Sequence, residues 1–201
     1  MTRLALQVAL ILAVAAPAPA QDDAKTILRH DSFVAFVADA GENVRIAVES
    51  TQRGPTYGTP MRVSVINSES DTVLKRTVPL NTAETITYTP TVSGLQVARM
   101  ETGWNLGTIE VLDRPWALVA WQRVPVNICG HMRPQHFFVP EYLEEVRLSL
   151  SASVTGEGAL VRVLDPEGNV VFEEEGDFDS EKQITIPAPP EIGRASCRER
   201  V

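Results

Sequence analysis

Short runs in which apolar and polar residues alternate recur along this chain, and they constrain its fold more than any other feature. VRIAVES (Val44–Ser50) sets Val44, Ile46 and Val48 against Arg45 and Glu49, and MRVSVIN (Met61–Asn67) and ETITYTP (Glu84–Pro90) follow the same rule. Successive side chains of an extended strand point to opposite faces, so a period of two buries one face and wets the other. VRLSLSA (Val146–Ala152), LVRVLDPEGNVVFE (Leu160–Glu173) and QITIPAP (Gln183–Pro189) have the same texture. Gly, Pro, Asn and Asp bound the runs, and no stretch sustains apolar spacing at i, i+3, i+4 and i+7 over a dozen residues. The pattern predicts an all-β protein built from antiparallel sheets.

The runs also repeat. FVAFVADAGENVRIAVES (Phe33–Ser50) aligns with HFFVPEYLEEVRLSLSA (His136–Ala152), so that Val44, Ile46 and Val48 fall on Val146, Leu148 and Leu150. RVSVIN (Arg62–Asn67) aligns with LVRVLD (Leu160–Asp165), and Ile86 and Tyr88 fall on Ile184 and Ile186. The change of offset between these matches is taken up in TQRGPTYGTP (Thr51–Pro60), a loop where insertions cost little. Two β-sandwich domains (jelly-roll or Ig-like) in tandem are therefore expected, at 21–112 and 135–190. A Trp- and Pro-containing bridging segment is expected between them at 113–134.

Asp165-Pro166-Glu167-Gly168-Asn169 lies between two apolar runs and predicts a hairpin. Pro166 presets φ, Asp165 can accept amide hydrogens of the turn, and Gly168 tolerates positive φ. The loop is too short, with too few ligands, for an EF-hand-like calcium site.

The two ends read differently from the middle. In MTRLALQVALILAVAAPAPA (Met1–Ala20) one arginine precedes an apolar run from Leu4 to Ala16, and small residues precede Gln21. This is the layout of a cleavable signal peptide, and the run is shorter than the roughly 20 residues of a membrane span. The expected location is secreted or periplasmic, with bacterial-type export. EIGRASCRERV (Glu191–Val201) resembles the in-frame translation of a sequencing-library adapter, whose next triplet is a stop. Residues 191–201 are accordingly read as artefact and the second sandwich as incomplete. After Tyr88 the first repeat runs on through TPTVSGLQVARM (Thr89–Met100), a turn and closing strand, where the second has only PAPP.

The chain carries 18 Lys and Arg against 26 Asp and Glu, a formal charge of −8. Setting both ends aside removes four basic residues and only two acidic ones, so the remainder is more acidic still. No basic cluster exists to hold nucleic acid or an anionic membrane. Of the two cysteines, Cys197 belongs to the suspect tail, which leaves Cys129 alone and no disulfide to build.

The segments AGENVRIAVES, MRVSVINSESDTVL and ETITYTPTVSGLQVARM together resemble the bacterial pre-peptidase C-terminal-type β-sandwich. The likeness covers Phe33–Met100 and, less closely, His136–Pro190. It departs from the family pattern at Ser68-Glu69-Ser70, where Pro-x-Gly is usual, and in lacking a Tyr before the closing strand. The resemblance implies an accessory module appended to secreted enzymes, with no catalytic residues of its own.

Neither a Gly-x-Ser-x-Gly elbow, nor a His-Glu-x-x-His pair, nor a glycine-rich phosphate loop is present. Cys129, His131 and His136 fall short of the four ligands of a zinc site. No catalytic residue, metal or cofactor is assigned. Flat aromatic faces stack on sugar rings, which makes Tyr57 and Trp104 the candidate ligand-binding residues. Trp116 and Trp121 are expected to fill interior space instead.

The expected function is a non-catalytic exported binding or scaffolding module, a fragment of a larger secreted protein. One alternative is a set of accessory domains of a secreted glycosidase or peptidase whose catalytic domain is missing. The other is a stand-alone carbohydrate-binding protein. The expected partners are a polysaccharide or cell-surface ligand and the missing C-terminal domains, with no nucleic acid and, after leader cleavage, no membrane.

Overall fold

The computed structural model describes residues 10–13, 25–120, 124–130, 135–137, 143–152, 154–156, 158–165 and 167–187. Its chain forms two compact units, the first reaching residue 138 and the second spanning 139–199. Trp121, His131 and the tail 191–201 lie outside the described residues.

Among the described residues ten strands make the first unit: β1 (Leu10–Ala13), β2 (Asp31–Ala38), β3 (Val44–Thr51), β4 (Met61–Ile66), β5 (Thr72–Val78), β6 (Thr82–Tyr88), β7 (Gly94–Glu101), β8 (Leu106–Val111), β9 (Trp116–Ala120) and β10 (His136–Phe137). They form a seven-stranded sheet in the order β10-β1-β9-β2-β7-β4-β5 and a three-stranded sheet in the order β6-β3-β8. All pairings are antiparallel, and Val63 stands opposite Met100 while Ile46 stands between Ile86 and Val111. Within the segment read as a leader, β1 pairs with β9; β9, from the segment read as a bridge, pairs in turn with β2.

The alternation seen in the sequence becomes the sandwich interior. Val44, Ile46, Val48, Ile86, Tyr88, Ile109 and Val111 come from the small sheet, and Val34, Phe36, Val63, Val65, Ala98, Met100 and Leu118 from the large one. Their intervening neighbours Arg45, Arg62 and Thr87 are exposed. Burying a side chain such as Val or Ile contributes about 1.5–3 kcal/mol, so this shared interior is the main force holding the two sheets together. It also contains one polar crosslink. The Tyr88 hydroxyl donates to Gln96 Oε1 at 3.0 Å, and Gln96 Nε2 donates to the Val92 carbonyl at 3.1 Å.

The β4–β5 hairpin turns through Asn67, whose Oδ1 accepts from the Glu69 and Asp71 amides at 3.0 and 2.9 Å. Ser70 takes the left-handed φ of 70° that a glycine would adopt more readily. Those side-chain hydrogen bonds offset the conformational cost and close the turn without a Pro-x-Gly.

The second unit is smaller. It contains β11 (Glu145–Leu150), β12 (Gly158–Leu164), β13 (Val170–Asp177) and β14 (Lys182–Pro187), paired antiparallel as β11 with β14 and β12 with β13. Val163, Phe178, Ile184 and Ile186 are buried, while Leu160, Leu164, Val170 and Val171 remain about half exposed. Its β12–β13 turn is the one expected from DPEGN. Asp165 Oδ1 accepts from the Asn169 amide at 2.7 Å, and Gly168 sits at a φ of 87°. The Asp165 carboxylate is thus engaged by its own turn, with Oδ2 accepting from the Asn169 side chain as well.

Candidate functional site

Several loops meet at the end of the first unit where β3 and β7 finish and β2 begins. Thr102-Gly103-Trp104-Asn105 carries the chain from the large sheet to the small one. The Asn105 amide donates to the Thr102 carbonyl at 3.1 Å, and Gly103 adopts a left-handed φ of 59°. The loop 51–60 crosses between the sheets at the same end. Buried Asn105 ties the two together, donating from Nδ2 to the carbonyls of Tyr57 and Thr59 at 3.1 and 2.9 Å and accepting from the Arg53 amide at 3.2 Å.

Ile27–His30 runs between this turn and residues 127–129. Leu28 exchanges backbone hydrogen bonds with Gly107 at 2.8 and 2.9 Å, and the Arg29 amide donates to the Asn127 carbonyl at 3.0 Å. The Cys129 amide donates to the Ile27 carbonyl at 2.9 Å, and the Cys129 thiol is free. His30 is fixed on both sides, its amide donating to the Gly103 carbonyl and its carbonyl accepting from the Thr102 amide. These constraints hold it at a φ of 56°, a left-handed conformation that costs a non-glycine residue about 1 kcal/mol or more.

Trp104 stands at the tip of its turn with 58% of its surface exposed. The His30 ring meets it edge-on, centroids 5.0 Å apart at 80°, and the Arg29 guanidinium lies over the indole with Cζ 5.6 Å from the centroid. Beside them opens a cavity of about 340 Å³ lined by His30, Asp31, Gly103, Val124, Pro125 and Asn127. That volume falls within the range of small-ligand sites.

The charges around the cavity are unequal in their pairing. Asp31 pairs with Arg99, whose Nη2 lies 2.8 Å from Oδ2 and is shared with the Glu101 carboxylate. Arg29 is only 3% exposed, yet it makes no ion pair among the described residues, and its Nε and Nη2 have no hydrogen-bond partner. A buried, unsatisfied donor costs about 1–3 kcal/mol, and more when charged. Burial first, and then the Arg29 charge, hold the His30 imidazole below its ordinary pKa, against the opposing pull of Asp31 and the Gly103 carbonyl. This environment favours the neutral imidazole over the charged one.

Of the two aromatic residues singled out in the sequence, Trp104 lies beside the cavity. Tyr57 is 37% exposed on the neighbouring loop and, among the described residues, makes no ring contact with Trp104. Trp116 packs against the core cluster. Arg29, His30 and Asn127 are additions that alternation and motif searches pass over. The only signal in the sequence is the polar triplet Arg29-His30-Asp31 directly before an apolar strand.

Among the described residues no three His, Cys, Asp or Glu side chains are grouped to hold a metal ion. Compared with models of protein families, with curated proteins and with solved structures, the chain has no match.

Proposed function

We propose that this chain is a non-catalytic exported binding module that recognises a glycan at the Trp104 corner of its first unit. One observation carries the reading. An indole held on a tight turn, backed by Arg29 and His30 and more than half exposed, borders a cavity of ligand size. A soluble domain gains no folding energy from a large apolar face left in water, whereas a sugar ring stacks its C–H face on such a plane.

Matching registers support a duplicated scaffold around this site. Ile46 pairs with Ile86 in the first unit, and their aligned counterparts Leu148 and Ile184 pair in the second. Val65 opposes Leu74 as Val163 opposes Phe172, with the ladder shifting after Val65 and after Val163. Tandem modules of this kind suit an accessory role beside a secreted enzyme, and the leader-like layout of the Met1–Ala20 sequence favours export.

The test is affinity electrophoresis of the whole chain through gels containing acidic, neutral and amino polysaccharides, with Trp104→Ala alongside. Retardation by at least one polymer, lost in Trp104→Ala at unchanged circular dichroism, is the expected result. Equal retardation of both proteins, or of neither by any polymer, would overturn the reading.

A further inference from the structure

We infer that the glycan bound at the Trp104 corner is uncharged, and that the Asp31 carboxylate in the adjoining cavity reads its hydroxyls and turns acidic sugars away. The inference rests on the proposal that this corner binds a sugar, and it adds the class of sugar and the group that selects it.

Among the described residues Asp31 is the one carboxylate lining the cavity, and nearly half of its side chain is exposed. It opens β2 directly opposite Glu101 on β7, a pairing of like charges that a sheet normally avoids. Arg99 bridges the two, with Nη2 shared between both carboxylates and Cζ lying 5.7 Å from the centroid of the Phe33 ring. That arrangement anchors Asp31 through Oδ2. Its Oδ1 accepts no hydrogen bond among the described residues. A positioned, ionised oxygen bordering a cavity is a strong acceptor for a ligand's hydroxyl hydrogens.

The rest of the lining suits hydroxyls too. Asn127 spends one Nδ2 hydrogen on the Pro125 carbonyl at 3.3 Å, which leaves a second hydrogen to donate and Oδ1 to accept. Trp104 follows Gly103, itself part of the lining, so a pyranose stacked on the indole carries its edge hydroxyls toward Asp31 and Asn127. A sugar carboxylate in the same place has no hydrogen to donate and meets Asp31 as a like charge. No cation in the lining offsets that repulsion. Arg29 is not part of the lining, Arg99 is held by Asp31 and Glu101, and the surroundings of His30 favour its neutral ring.

The test is affinity electrophoresis of the whole chain against polysaccharide pairs that share a backbone and differ in charge. They are hydroxyethylcellulose with carboxymethylcellulose, galactomannan with its oxidised, uronate-bearing form, and methyl-esterified with free polygalacturonate. Salt of about 0.15 M screens the net negative charge of the chain beyond about 8 Å. The neutral member of at least one pair is expected to bind at least about tenfold more tightly than its acidic partner. Asp31→Asn keeps the shape and removes the charge, and should bring that ratio close to one. Glu101→Gln removes the same charge from the same Arg99 cluster outside the cavity, and should keep the native ratio. Equal binding within every pair, or retardation by acidic or amino polymers alone, would overturn the neutral selection and leave the sugar site standing. Retardation by no polysaccharide at all would overturn both. A ratio that survives in folded Asp31→Asn, or that falls as far in Glu101→Gln, would overturn the role of Asp31. Should Asp31→Asn fail to fold, Asn127→Ala decides: weaker binding of the neutral polymer is expected, and unchanged binding would place the sugar outside the cavity and overturn the inference.

Discussion

The hydrogen bond between Tyr88 and Gln96 crosses the interior of the first unit from β6 to β7, and its two ends have different obligations. The Tyr88 hydroxyl serves only Gln96 Oε1, whereas Gln96 also donates to the carbonyls of Val92 and Gly94. Tyr88→Phe therefore strands one acceptor and should cost about 1 kcal/mol. Gln96 is itself fully buried, and Gln96→Leu strands the Tyr88 hydroxyl and the part-buried Val92 carbonyl, which should cost about 2–3 kcal/mol. The double variant should lose about 1 kcal/mol less than the sum of the two single losses, because Tyr88→Phe leaves no hydroxyl for Gln96→Leu to strand. Trp104 and Trp116 both lie in the first unit, so urea unfolding followed by tryptophan fluorescence reports on it. With a slope of about 1–3 kcal/mol per molar urea, a loss of about 2 kcal/mol moves the midpoint by about 1 M. Burial holds the Tyr88 phenol above its ordinary pKa. The neutral form is favoured in the folded state, so stability is present below pH about 10 and falls as the pH rises beyond it, and Tyr88→Phe should remove that component. Additive losses, or equal losses for the two single variants, would refute the shared bond.

Two further outcomes follow from the ribbon that holds Trp104 in place. A Cβ on Gly107 would stand 2.7 Å from Thr102 Cγ2 and 3.0 Å from the sulfurs of Met61 and Met100. Gly107→Ala should therefore cost about 1–3 kcal/mol in the same denaturation assay, because the methionines can yield but Thr102 is tied to the turn; an unchanged midpoint would show that the ribbon packs more loosely. His30 has a depressed pKa in the folded state, from burial and from Arg29, with Asp31 and the Gly103 carbonyl opposing. Its neutral form is the one folding favours, so its contribution to stability is lost as the pH falls from about 6.5 toward the folded value. Asn accepts a left-handed φ, so His30→Asn should fold and lose this slope, measured by thermal unfolding between pH 7 and about 5. The depressed carboxylates of Glu42 and Asp165 titrate below that window, and a slope that survives in His30→Asn would refute the assignment.

The strands were legible in the sequence because their cause is local. Val44, Ile46 and Val48 alternate with Arg45 and Glu49 whatever lies opposite them, and a half-buried sheet follows from that spacing alone. The turn at Asp165 was legible for a similar reason, since Asp, Pro and Gly each act on their own backbone. Partnership was harder to read. The exposed residues of β5 place it at a sheet edge, and nothing in TVLKRTV says which edge. The bridging reading of 113–134 rested on tryptophans and prolines, which mark apolar content and chain breaks but not the sheet that takes the strand. Trp116–Ala120 is hydrogen-bonded beside β2 because its unbroken apolar run can be covered on both faces.

The site was legible only where a side chain contradicts its surroundings openly. Trp104 follows Gly103 and precedes Asn105 in a turn, where a large apolar residue leaves more than half of its surface in water. Arg29 contradicts its surroundings just as strongly, but the contradiction is invisible in one dimension. An arginine between Leu28 and His30 reads as an ordinary solvated residue, and only the ribbon formed with Gly103–Gly107 and Asn127 closes over it. Folding energy alone would favour an apolar residue at that position, because a buried unpaired guanidinium is a net cost. The left-handed His30 beside it is a second cost in the same segment. Two adjacent residues that each carry a cost to the fold, beside an indole left more than half exposed, mark where other requirements have shaped this chain.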